Sequence, residues 1–241
     1  MTARLRSVAL LVVLLSAVMA AAGPDLVAPP LTARQALGLL KAGNDRFARN
    51  ASKPVSMSVH RREEIAKGQH PVAMVLSCAD SRVPPEHVFN VGLGELFVIR
   101  TAGAVIDRSV LATAEYGATE LHVPLLVVMG HESCGAVKAA AEAKGPSESP
   151  NLEYLLRAIQ AARRQAPTAE DHQDREDLKA LVLANVEEVI NDTMAKSPLL
   201  RKLVAEGKLD VVGAYYELVS GRVMFSEPVP VAVAAAPVTR R

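Results

Sequence analysis

Four short apolar runs, Val72 to Leu76, Leu96 to Ile99, Val123 to Met129 and Leu209 to Ala214, are separated by segments whose apolar residues recur at helical spacing. This alternation constrains the fold more than any other feature. Strand–helix–strand order implies a parallel sheet with right-handed crossovers, because parallel neighbours need a long connection and twisted strands accept only that hand. Helices are expected over Ser109 to Leu121, over Ala136 to Lys144, through Leu152, Leu155 and Ile159, and through Leu178, Val182, Val186 and Val189. Another starts at Ser197-Pro198 and ends at Gly207.

Before the first strand, Thr32 and Gln35 form a capping box that opens a helix with Ala36, Leu40, Gly43 and Phe47 on one face. A short charged helix over Val59 to Lys67 stops at Gly68. After the last run, Tyr215 to Phe225 reads as a hairpin turning at Ser220-Gly221. The fold class is therefore α/β: one domain over residues 32–225, with a central, mostly parallel sheet flanked by helices and a C-terminal hairpin extension.

The ends read differently. Arg4 and Arg6, an apolar run from Val8 to Val18 and small residues from Ala20 to Gly23 have the layout of a secretory signal peptide, placed at residues 1–22. The run is shorter than the ~20 apolar residues of a spanning helix, so no stable membrane span is expected after cleavage, and the location is periplasmic or secreted. Residues 23–31 are Pro-rich and extended, and residues 226–241 form a Pro/Val/Ala tail expected to be disordered. The formal net charge is +1, and aromatics make up 3% of the chain with no Trp. That leaves no basic footprint for nucleic acid and few platforms for stacking bases or sugars.

The chain has two cysteines, and each follows a buried run: Cys78 in Ser77-Cys78-Ala79-Asp80-Ser81-Arg82, Cys134 in His131-Glu132-Ser133-Cys134-Gly135. In an open parallel sheet, ligands bind beyond the carboxyl ends of the strands, so both segments should reach one crevice. Two thiols, the His131 imidazole and the Asp80 carboxylate are all zinc ligands, and sulfur with imidazole selects zinc over magnesium or calcium. Three other fates stay open for the cysteines. They are a disulfide, the default in an oxidising compartment; a closed, purely structural zinc site; and buried thiols with no role. A disulfide would contribute roughly 4 kcal/mol on the chain-entropy model, against about 10–16 kcal/mol for thiolate zinc sites in small peptides, so zinc wins if it arrives first. The disulfide also leaves His131, Asp80 and Arg82 unexplained.

Cys78-Ala79-Asp80-Ser81-Arg82 and His131-Glu132-Ser133-Cys134-Gly135 resemble the two signature motifs of the β-class carbonic anhydrases. The likeness extends from about Ala36 to Phe225, through Gly43-Asn44-Asp45-Arg46-Phe47, Gly92 to Gly103, Glu115-Tyr116 and Val212-Gly213-Ala214-Tyr215-Tyr216. The resemblance implies one zinc per chain, held by Cys78, His131 and Cys134. Asp80 either ligates the metal or pairs with Arg82, with Asp80 and Arg82 as the catalytic pair. It also implies hydration of carbon dioxide to bicarbonate by zinc-bound hydroxide, and a homodimer or homotetramer. The N-terminal helix, with little core of its own, is expected to exchange between subunits.

Two departures from the family pattern stand out. No Gln lies between Ser81 and Arg100, where many members have one to orient substrate; Val91 or Gly92 occupies that neighbourhood, so orientation is expected to fall to backbone N–H groups. Arg100 and Tyr216 match two parts of an inhibitory bicarbonate pocket found in some bacterial members, but Val75 stands in place of its Trp. Relatives with the same zinc site hydrolyse carbonyl sulfide or carbon disulfide, and a non-catalytic zinc or bicarbonate module is a further alternative, disfavoured because Asp80 and Arg82 are both present. His87 is expected to be solvated or packed on a helix, and His60, His70, His122 and His172 to lie on the surface.

Overall fold

The computed structural model of the protein describes residues 31–163 and 175–230; the expected signal peptide, residues 23–30 of the expected extended segment, His172 and residues 231–241 lie outside them. Among the described residues the elements run α1 (Ala33–Ala48), α2 (Val59–Ile65), β1 (Ala73–Cys78), α3 (Pro85–Val88), β2 (Leu96–Thr101), then a 3-10 turn (Ala102–Ala104). They continue with α4 (Arg108–Thr119), β3 (Leu125–His131), α5 (Gly135–Glu142), α6 (Pro150–Arg163), α7 (Arg175–Lys196), α8 (Pro198–Ala205), β4 (Asp210–Tyr216) and β5 (Val223–Phe225).

The sheet order is β2-β1-β3-β4-β5, with the first four strands parallel and β5 antiparallel to β4. β1 and β3 are buried along their whole length, which is why both read as continuous apolar runs with no alternation. One apolar layer, with Met74, Leu126, Val128, Val186 and Leu200, lies on one face; another, with Val75, Val127, Phe89, Leu40 and Tyr216, lies on the other. Register aligns Cys78 with Thr101, and His131 with Tyr216, so the ends of all four parallel strands open on one edge.

The expected helices and strands are present, with ends displaced by a few residues. The structure adds the short helix α3 and the 3-10 turn. It also differs at both ends of the domain. The capping box holds as expected, with Thr32 and Gln35 bonded reciprocally, but α1 has a core within its own chain. Ala36 and Leu40 are fully buried against Val75 and Val127, and Asn44 donates to the carbonyls of Val88 and Gly221 while accepting from the Val223 N–H. Beyond Phe225, Ser226 N–H bonds to the Gly213 carbonyl and Val229 N–H to that of Val211. The first residues of the expected disordered tail therefore continue along β4.

Gly43 is where α1 comes closest to the body. A Cβ there would sit 1.8 Å from the Phe89 carbonyl oxygen, an atom of the backbone that cannot swing aside. Helix propensity alone would favour Gly43→Ala by about 1 kcal/mol. The displacement it forces costs about 1–3 kcal/mol or more and also strains the Asn44 bonds. We expect a net loss of about 2 kcal/mol in denaturant unfolding; a midpoint at or above wild type would show that α1 does not dock as described.

Candidate metal centre

Cys78 ends β1, His131 ends β3, and Cys134 sits three residues further, at the N-terminus of α5. Between them Ser133 takes a left-handed backbone (φ 54), which turns the chain so that His131 and Cys134 face the same space. The two sulfurs lie 4.0 Å apart as free thiols, and with a ring nitrogen of His131 they form a buried group whose atoms all lie within 4.8 Å of one another. Two sulfurs on one tetrahedral zinc, at ~2.3 Å each, would be about 3.8 Å apart.

His131 is fully buried. Its Nδ1 lies 2.9 Å from the Glu132 carbonyl oxygen, which can only accept, so Nδ1 carries the proton and Nε2 keeps a bare lone pair in the neutral ring. Nε2 has no hydrogen-bond partner. A buried acceptor left unmatched costs about 1–3 kcal/mol, and a metal ion is the ligand that its position beside two sulfurs suits. The donor set thus fits zinc.

The thiols oppose one another. Donation from Cys134 favours the Cys78 thiolate and holds Cys78 well below the usual thiol range, against its burial. The same bond, together with burial and the neighbouring charge, pushes Cys134 up, while the N–H groups of Val137 and Ala136 at the start of α5 act the other way. Gly103 N–H also donates to Cys78 Sγ, at 3.3 Å.

Asp80 is the fourth expected residue, and both its oxygens are taken by Arg82: Nε to Oδ1 at 2.9 Å and a terminal nitrogen to Oδ2 at 2.7 Å, with the Arg82 backbone N–H adding a third bond. This pairing holds the Asp80 carboxyl far below the usual carboxylate range. Oδ2 still lies only 3.9 Å from His131 Nε2, so the carboxylate borders the position the three ligand atoms define. Arg82 also reaches the Ser133 carbonyl, tying the two motifs together.

Sequence reasoning missed three supports. Arg100, read there only as part of a bicarbonate pocket, donates to the carbonyls of Cys78 (3.0 Å) and Asp80 (2.6 Å) and fixes the turn that leaves β1. A carboxylate oxygen of Glu132 accepts the Leu218 N–H, and its backbone N–H bonds to the Tyr216 carbonyl, so the His131 segment is anchored to β4. Asn185 of α7 donates to the Gly103 carbonyl at 2.8 Å; its signal was a polar residue breaking a buried apolar stripe.

One further expectation comes out differently. The N–H groups of Val91 and Gly92 are engaged by the Glu86 carbonyl and the Glu95 carboxylate, so neither is free to orient a substrate. Val75 is packed in the core near Tyr216. His87 is exposed and lines a groove with Lys53, Pro84 and Leu93, away from the thiols; His60, His70 and His122 are exposed, as expected.

A sequence model of the carbonic anhydrase family matches residues 73–223. The chain is 39% identical over 194 residues to carbonic anhydrase 2 of Mycobacterium tuberculosis, covering 78% of this chain and 90% of that one. Among solved structures it is similar to the Coccomyxa β-carbonic anhydrase in complex with acetazolamide (TM-score 0.64, 28% identity, 80% of this chain and 86% of that one). It is also similar to tetrameric β-carbonic anhydrases from Sordaria macrospora (TM-score 0.63, 25% identity, 80% and 95%).

Proposed function

The chain belongs to the β-class carbonic anhydrases, and from that premise we propose that it interconverts carbon dioxide and bicarbonate at one zinc ion per chain, held by Cys78, His131 and Cys134. The observation that carries this reading is the bare Nε2 of His131, buried and unpartnered beside two thiols. Zinc held there supplies a Lewis acid that lowers the pKa of water, an effect for which carbonic anhydrases with a different ligand set are the standard example.

The chain's own groups supply the orientation. Arg82 keeps Asp80 ionised, so its carboxylate only accepts: at Oδ2, beside His131 Nε2, it takes a hydrogen bond from the attacking water and aims a lone pair at the carbon of carbon dioxide. Because Arg82 holds that carboxylate by both oxygens, the pair determines where the proton lies without taking it up. The Glu132 carbonyl fixes the tautomer of His131, and Arg100 keeps the turn carrying Asp80 from drifting. Carbon dioxide and water give bicarbonate and a proton, which passes to buffer.

We place the protein outside the cytoplasm, from the signal-peptide layout of residues 1–22, and assign it a homodimer or homotetramer. The tetrameric Sordaria relatives support the second of these.

Two experiments test this reading. Cys78→Ser, His131→Ala and Cys134→Ser should each lose zinc and carbon dioxide hydration, whereas Arg82→Ala should keep its zinc and lose activity about ten- to hundredfold in stopped-flow assays. Full hydration by metal-free protein would overturn the zinc assignment, and an Arg82→Ala enzyme as fast as wild type would remove the pair's role. Secretion is checked by mass spectrometry of the mature N-terminus after expression in a bacterial host: it should begin near residue 23 in the periplasmic or extracellular fraction. A chain retaining Met1 in the cytosol would contradict the placement.

A further inference from the structure

Asn185 is out of place by packing alone. It is 4% exposed and belongs to the same helix as the buried Leu181, Val182, Val186 and Val189, where an amide costs helix propensity and must be desolvated. An apolar residue of the same size would avoid both costs unless the amide is needed. Its Nδ2 lies 2.8 Å from the Gly103 carbonyl oxygen, which only accepts, so the orientation of the amide is fixed.

Gly103 in turn touches the metal centre. Its N–H points at Cys78 Sγ, 3.3 Å away. The turn that presents this N–H is strained: Gly103 (φ 65) and Ala104 (φ 55) are successive left-handed residues, and for Ala that conformation costs about 1–2 kcal/mol. Three bonds oppose its relaxation: the Val105 N–H to the Ala102 carbonyl at 3.5 Å, Thr101 Oγ1 to the Val105 carbonyl at 2.7 Å, and Asn185 to Gly103. The first two close the turn on itself; the third ties it to α7, outside the loop. The carbonyl that Asn185 grips lies on one side of the Gly103 Cα, and the N–H aimed at sulfur on the other. The two groups belong to the peptide planes that meet at that Cα, so holding the carbonyl narrows the arrangements of the turn in which the N–H can face Cys78.

We propose that Asn185 is a positioning residue for Cys78: by clamping the Gly103 carbonyl it aims the Gly103 N–H at the Cys78 sulfur and so strengthens that sulfur's hold on the metal. The inference rests on the zinc assignment for Cys78, His131 and Cys134. A hydrogen bond from a fixed N–H spreads part of the charge that a metal-bound thiolate must carry, and outer-shell partners of this kind typically change metal affinity 10–100-fold.

The test uses metal-loaded protein and does not depend on activity. With ¹¹³Cd in place of zinc and ¹⁵N labelling, the Gly103 amide should show scalar coupling to cadmium through the Cys78 sulfur. Asn185→Leu, close to Asn in shape, and Asn185→Ala, both without a donor, should lose that coupling and release zinc to a chelator about tenfold faster than wild type. Ile190→Ala, on the same helix but packed over Gly213 of β4, serves as the control for general loosening and should leave both readouts unchanged. Absence of the coupling in wild type overturns the proposal, even if neither Asn185 variant folds. Unchanged release in the Asn185 variants, or equal acceleration in Ile190→Ala, also overturns it. A wild-type protein that binds neither metal would instead overturn the zinc assignment itself, and this proposal with it.

Discussion

Burying two thiols and an imidazole against one another has consequences throughout the domain. His131 Nε2 has no hydrogen-bond partner, and the two sulfurs, buried 4.0 Å apart, cannot both ionise without repelling one another. Left alone, such a group destabilises the fold by several kcal/mol in unmet hydrogen bonds and like charge. A doubly charged soft cation reverses the sign, because thiolate zinc sites contribute about 10–16 kcal/mol in peptides that otherwise do not fold. A metal bound there and the sheet edge would therefore stabilise each other.

The surrounding structure consists largely of clamps on backbone carbonyls. Arg100 grips those of Cys78 and Asp80, Asn185 that of Gly103, the His131 ring that of Glu132, and Arg82 that of Ser133. Each fixes a peptide next to a ligand and leaves the ligand atom itself free. Rigid strands place Cys78 and His131, while the strained residue Ser133 and the left-handed turn at Gly103 place what surrounds them. Asp80, on a turn and held by Arg82, can keep a fixed distance from the ligands without joining them.

The sheet, its parallel order and the meeting of Cys78, His131 and Cys134 were legible because they rest on local signals: unbroken apolar runs for strands buried on both faces, and chemistry-bearing residues just beyond them. The capping box at Thr32 was legible for the same reason. What escaped depends on pairings distant in sequence. Gly43 meets Phe89, Asn44 meets Gly221, and Asn185 meets Gly103, and no period in the chain encodes such meetings. The N-terminal helix seemed short of a core because its partners, Val75 and Val127, lie in strands far along the chain. Val229 read as part of a featureless tail because one backbone bond to Val211 needs no side-chain pattern.

The central claim is that the two thiols and the imidazole bind one zinc ion together while Asp80 remains with Arg82. X-ray absorption at the zinc edge of the purified protein tests it most directly. The account predicts two sulfur neighbours at about 2.3 Å and nitrogen or oxygen neighbours near 2.0–2.1 Å in a four-coordinate shell, with the sulfur contribution falling to one in Cys78→Ser or Cys134→Ser if metal is forced in at high concentration. A shell of nitrogen and oxygen alone, or four neighbours unaltered by either substitution, would contradict it.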